Sequence, residues 1–174
     1  MEQFCRGDEN AFEILYARYA PQVQAFLGRM VRDTALAEDL LQVTFLSVVR
    51  ARGRYQPGTT VRSWLYAIAA NAGRDALRRR RARREDAPSG SESAAIAPSE
   101  DLPDPAAARA VQEALMHLSV EQREAVVLHK MQDLSFEEIA NVLGITVSAA
   151  KVRAHRGYQR LRELLAPLDP GAGA

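Results

Sequence analysis

Residues 134–165 read LSFEEIANVLGITVSAAKVRAHRGYQRLRELL, and this stretch decides the fold class. Ser135 followed by Glu138 is a capping box: the serine hydroxyl accepts from the backbone N–H of the third helical residue, whose side chain reaches back to the serine N–H. Thr146 or Ser148 offers a second helix start directly after Gly144. The helix that follows carries Lys151, Arg153, Arg156, Arg160 and Arg162 against one acid, Glu163. A short helix, a turn at a glycine and a longer basic helix make the pattern of a helix-turn-helix, whose second helix enters the DNA major groove. Positions i, i+1, i+4 and i+5 share a helix face, so Lys151, Val152, His155 and Arg156 should be presented together. Lysine and arginine donate to guanine edges, and a small apolar side chain packs on a thymine methyl. Lys130, Arg153 and Arg160 are read as phosphate contacts, which place the helix without reading sequence. An ordinary solvated C-terminal helix would carry the same charge; the capping box, Gly144 and the two-helix length favour the DNA reader.

Working upstream, Ser119 and Gln122 repeat the capping box and predict a helix from 120 to about 131. Asp104 or Pro105 opens another, to about 117. Before it, residues 85–105 (EDAPSGSESAAIAPSEDLPDP) hold four prolines and six acids with no base, which predicts a flexible acidic linker. The chain should therefore be all-α, with two small helical domains: a three- to four-helix bundle over 1–84 and a helix-turn-helix domain over 106–168, followed by a tail at 169–174.

In the first domain, Asp8 or Asn10 caps a helix with Phe12, Leu15, Tyr16 and Tyr19 on its apolar face, which Pro21 should kink or interrupt. Asp33 or Thr34 starts the next, whose buried stripe is Leu36, Leu40, Leu41, Phe45 and Val48 and which should stop near Gly53. After a Pro-Gly turn, Thr60 or Val61 opens a long helix to about Arg84 that ends in RRRRARR. Trp64, Tyr66 and Asn71 share that helix with the arginine run. Aromatic faces beside positive charge can hold the unstacked bases of single-stranded DNA.

The net charge of +1 conceals this asymmetry. Residues 1–84 hold 15 bases and 8 acids, residues 85–108 no base and 6 acids, and residues 109–174 hold 8 of each, with the surplus of bases at 146–165. Two basic surfaces around an acidic connector suggest a polyanionic partner. The apolar share of 47% suffices for packed cores. A single cysteine, Cys5, excludes an internal disulfide and leaves no cysteine cluster for zinc. No apolar run approaches 18 residues and no signal-peptide pattern appears, so no membrane insertion and a cytoplasmic location are expected.

Three blocks resemble one family. Ala37-Glu38-Asp39-Leu40-Leu41-Gln42-Val43-Thr44-Phe45 closely resembles the polymerase-binding helix of bacterial sigma factors. Val61-Arg62-Ser63-Trp64-Leu65-Tyr66-Ala67-Ile68-Ala69 with Asn71 is similar to their promoter-melting helix, and residues 133–140 with 150–157 resemble their −35-reading domain. In order and spacing, the three together resemble the small extracytoplasmic-function (ECF) sigma factors of the sigma-70 family. The resemblance implies that Asp39, Leu40, Gln42 and Phe45 grip the β′ clamp helices of core RNA polymerase, with the β flap a second contact. It implies that the 54–60 loop, with Tyr55, Gln56 and Thr59, captures a flipped −10 base, supported by Trp64, Asn71, Arg74 and Arg78. It places Lys151, Val152, His155 and Arg156 on the −35 element, and the acidic linker along the RNA path. It further implies an anti-sigma partner. Val152 and Ala154 are small where many members carry larger or polar residues, and Gly157 lies inside the reading helix at a cost of about 1 kcal/mol relative to alanine.

The alternative is a stand-alone helix-turn-helix regulator, which explains 134–165 and leaves 36–84 without a role. An enzyme is disfavoured: His117, His129 and His155 are scattered, with no nucleophile, paired-acid or phosphate-loop constellation, and neither cofactor nor metal is expected.

Overall fold

The computed structural model describes residues 1–56, 58–86 and 105–166. Its elements are α1 (Glu2–Cys5), α2 (Glu9–Val31), α3 (Thr34–Ala51), a 3-10 turn (Arg52–Arg54), α4 (Val61–Asp86), α5 (Pro105–Met116), α6 (Val120–Val126), a π-helical turn (Val127–Met131), α7 (Phe136–Leu143) and α8 (Val147–Leu165). No strand occurs among the described residues. Residues 87–104 of the expected linker, the tail at 169–174 and the expected stop at Pro167 lie outside them.

The helix starts follow side-chain capping. Asp8 accepts from Ala11 N–H, Asp33 from Leu36 N–H and Thr60 Oγ1 from Ser63 N–H, each satisfying a donor the helix leaves unpaired. Both capping boxes form: Ser119 with Gln122, and Ser135 with Glu138.

Three boundaries differ from expectation. Pro21 does not interrupt α2, which runs unbroken to Val31. Leu15 and Ala20 before the proline and Val23, Phe26 and Leu27 after it are all buried on one core, and that burial outweighs the roughly 3 kcal/mol that an interior proline costs. The helix expected over 120–131 widens after Val126 into a π-helical turn, where Gln132 N–H reaches back five residues to Val127 O at 3.2 Å. Residues 52–54 form a tight 3-10 turn after α3, so Gly53 is not a left-handed stop.

Helices α2, α3 and α4 pack on one another, and α6, α7 and α8 form a second set with α5. The two sets also close on each other: α4 packs on α7, and α2 on α5, α6 and the π-turn. One continuous apolar cluster results, running from Phe26, Leu27 and Leu65 to Leu115, Leu128 and Ile139.

Polar groups bolt this seam. The Tyr66 hydroxyl on α4 donates to Gln132 Oε1, both residues being buried. Arg123 on α6, 7% exposed, donates to the carbonyls of Leu115, Met116 and Leu118, and reaches across to Met30 O near the end of α2. Carbonyls at helix C-termini lack intrahelical donors, so a buried guanidinium with five N–H groups satisfies several at once. Arg32 and Glu113 form an ion pair at 3.0 Å on the rim.

Candidate nucleic-acid interface

α7 ends at Gly144, which adopts the left-handed conformation at φ 65° and donates to Ala140 O. Ile145 N–H also bonds Ala140 O, at 3.0 Å, and Thr146 then caps α8 by accepting from Ala149 N–H at 3.1 Å. Stop and start two residues apart give the tight turn of the helix-turn-helix. Ala150, Ala154 and Gly157 form the inward stripe of α8. The opposite side exposes Lys151, Val152, His155 and Arg156 together, as the spacing predicts. Val152 is 47% exposed, an apolar side chain facing solvent in the middle of a polar face.

The flanking bases separate. Lys130 is exposed on the π-turn. Arg160 is exposed and paired with Glu163 at 2.8 Å. Arg153 is half-buried and faces α6, within electrostatic reach of Glu121 and Glu124. Beneath α8, His129 stacks on Phe136 with ring centroids 4.4 Å apart and lies 2.7 Å from the Tyr158 hydroxyl. Lys151 Nζ lies over the Phe136 ring, 5.9 Å from its centroid. This small cluster ties α8, α7 and the π-turn into one unit, so the exposed face is presented by a fixed frame.

On α4 the predicted residues divide as well. Tyr55 packs edge-on against Trp64 at 5.4 Å, and its hydroxyl donates to Thr59 O, which shapes the loop around the exposed Gln56. Pro57 in that loop lies outside the described residues. Asn71 is exposed and accepts from Arg74. Arg78 is exposed and paired with Asp75 at 3.1 Å. Tyr66 departs from the expectation of a base-facing ring. It is 1% exposed, lies edge-on to Phe26 at 5.4 Å, and burial holds its phenol well above the ordinary value. The helical period puts Tyr66 on the side that carries Ala69, Ala70 and Gly73, all buried.

On α3, Asp39 and Gln42 are exposed, whereas Leu40 at 7% and Phe45 at 3% belong to the core, Phe45 packing against Tyr16 and Phe12. The two residues sequence reasoning overlooked are Val43 and Leu46, at 49% and 56% exposed. With Asp39 and Gln42 they complete an i, i+3, i+4, i+7 stripe, and that spacing was the available signal.

Comparison with known proteins places this arrangement. The family model "Sigma-70 region 2" matches residues 15–83, and "Sigma-70, region 4" matches residues 108–161. RNA polymerase sigma factor CarQ of Myxococcus xanthus is 55% identical over 97% of this chain and 97% of its own. ECF RNA polymerase sigma factor SigM of Mycobacterium tuberculosis is 37% identical over 95% of this chain and 82% of its own. Among solved structures, the sigma factor RpoE in complex with the anti-sigma factor NepR from Bartonella quintana matches with a TM-score of 0.77 at 29% identity, covering 90% of this chain and 97% of that one. CnrH in complex with the cytosolic domain of CnrY matches at 0.74 and 27% identity, covering 97% and 96%. An all-helical chain with a helix-turn-helix and a second basic helix is, on these matches, a transcription initiation factor. It belongs to the sigma-70 family of RNA polymerase sigma factors, in its ECF group.

Proposed function

We propose the following division of labour within this sigma factor. Residues 1–84 bind core RNA polymerase and take the −10 strand, 85–105 connect, and 106–168 read the −35 duplex. The observation that carries the assignment is the single exposed face of α8 formed by Lys151, Val152, His155 and Arg156 on a capped helix-turn-helix frame. Lys151 and Arg156 supply donors to base edges, and Val152 supplies apolar contact. Lys130 and Arg160 supply phosphate contacts on either side. Asp39, Gln42, Val43 and Leu46 form the exposed part of the polymerase-binding helix, with Leu40 and Phe45 holding it from inside. The Tyr55–Trp64 pair, Gln56, Thr59, Asn71, Arg74 and Arg78 serve the −10 strand.

The polymerase performs the bond-making, so this chain needs binding surfaces and no catalytic group. No helix among the described residues is long and apolar enough to cross a membrane. Work on the chromosome supports a cytoplasmic site of action. An anti-sigma factor is a further partner by analogy with the two complexes above. Run-off transcription tests the reading. Core polymerase with this protein should start at a promoter bearing its −35 and −10 elements, and core alone should not. Binding of duplex DNA without any promoter-dependent start would instead support a stand-alone regulator.

A further inference from the structure

Beside the exposed face of α8 lies a ring pair to which the division of labour above gives no role. His129, within the π-helical turn, and Phe136, the first residue of α7, stack with planes 13° apart and centroids 4.4 Å apart. Each ring meets a side chain of α8. The Tyr158 hydroxyl lies 2.7 Å from His129 Nδ1, its ring edge-on to the imidazole at 6.0 Å. Lys151 Nζ lies over the Phe136 ring, 5.9 Å from the centroid. Lys151 and Tyr158 are two turns apart, so the ring pair meets one side of α8 at two heights separated by roughly 10 Å. The π-helical turn that carries His129 is a rare geometry, found frequently at functional sites.

We propose that Phe136, backed by His129, is a positioning residue for −35 recognition: its ring fixes the Lys151 ammonium, so that Lys151 discriminates one guanine edge instead of following the nearest phosphate. This role rests on the reading of α8 as the −35 face. Lysine is a compact charge on a flexible stem and has no built-in direction. Alone on a helix, such a charge meets phosphates as readily as guanine O6 and N7, and a phosphate contact carries no sequence information. An aromatic face within about 6 Å attracts an ammonium through the ring quadrupole. The ammonium held there has less freedom left to lose when it meets its base.

Two features favour a base over a phosphate at this ammonium. Glu137, next to Phe136 on α7, is exposed and within electrostatic reach of Lys151. Its carboxylate repels a phosphate brought to the same place, whereas a guanine edge is uncharged. Phe136 is half-buried and Lys151 exposed, so the ring restrains the side chain without covering it. A ring face also attracts the charge without taking up all three N–H donors. Loss of the ring should therefore lower the discrimination by Lys151 about two- to fivefold, the strength of a cation–π contact at an exposed site.

The test uses the full chain with core polymerase and promoter templates randomised over the −35 element, with sequencing of those that yield transcripts. Lys151→Ala should abolish preference at one base pair, which identifies the base that Lys151 meets. Phe136→Leu should relax preference at that base pair alone, and should add nothing in the Lys151→Ala background. A trifluorinated phenylalanine at position 136 keeps the shape of the ring and withdraws electron density from its face. It should relax the same base pair, which a purely structural role of the ring would leave unmoved. Full preference there in the fluorinated protein overturns the proposal, as does equal relaxation at every −35 position in both Phe136 variants. If Lys151→Ala relaxes no position, the −35 reading of Lys151 fails and takes the positioning role with it. A Lys151 base pair that both Phe136 variants leave unchanged removes the positioning role alone.

Discussion

Gly157 on α8 and Val126 on α6 approach so closely that a Cβ on the glycine would lie 2.5 Å from Val126 Cγ2. The glycine is the contact point that lets α8 sit down on α6. Gly157→Ala gains up to about 1 kcal/mol of helix propensity, but it overpacks a buried valine, which costs about 1–3 kcal/mol. A net loss of roughly 1 kcal/mol is expected, seen as a lower urea midpoint. Val126→Ala in the Gly157→Ala background should recover part of it, because the two substitutions share one space. A more stable Gly157→Ala protein would show that α6 and α8 do not pack this tightly.

Local signals made much of this molecule legible. Ser119, Ser135, Asp8 and Asp33 all cap helices where side-chain chemistry says they should, since capping depends on three or four adjacent residues. The exposed face of α8 was legible for the same reason: it follows from helical spacing alone. The seam was not. Tyr66 and Gln132 are 66 positions apart, and Arg123 is 93 from Met30, so no local period joins them. Leu40 and Phe45 fit both the apolar stripe and the family's polymerase-binding motif, and the sequence alone could not divide those roles. Pro21 misled because its local cost is real, while the burial on both sides of it is a tertiary property.

The bond from Tyr66 to Gln132 predicts a measurable coupling across the seam. Tyr66→Phe preserves the ring against Phe26 and leaves the buried Gln132 amide oxygen without its donor. A loss of about 1–3 kcal/mol is expected for an unsatisfied buried acceptor. Gln132→Ala should cost a similar amount, and the double variant less than the sum of the two. Denaturation followed by circular dichroism measures all three. Additive losses would mean that the two side chains do not act as a pair.

Exposure separates two kinds of residue on α3. Asp39→Ala and Leu46→Ala alter exposed positions and should leave the thermal midpoint nearly unchanged, surface substitutions usually falling within about 0.5 kcal/mol. Each should weaken retention of core polymerase in co-purification. Phe45→Ala empties a core position between Tyr16 and Phe12 and should cost about 3–5 kcal/mol of stability, losing polymerase through unfolding. Full polymerase retention by both Asp39→Ala and Leu46→Ala would remove this stripe from the interface.

The α8 face predicts two different signatures in DNA binding. Arg156 is exposed between His155 and the inward Gly157, within the group proposed to meet base edges. Arg156→Ala should cost about 1–3 kcal/mol on the preferred −35 duplex and little on a duplex altered at the base it contacts, so preference at that position relaxes. Lys130, exposed on the π-turn, should behave as a phosphate contact. Lys130→Ala should weaken every duplex alike and reduce the slope of log affinity against log salt by about 1. Titrating a −35 duplex and single-base variants across several salt concentrations measures both quantities at once. A uniform loss for Arg156→Ala with a shallower salt slope would move Arg156 to the phosphate group, and leave Lys151, Val152 and His155 to carry the reading of bases.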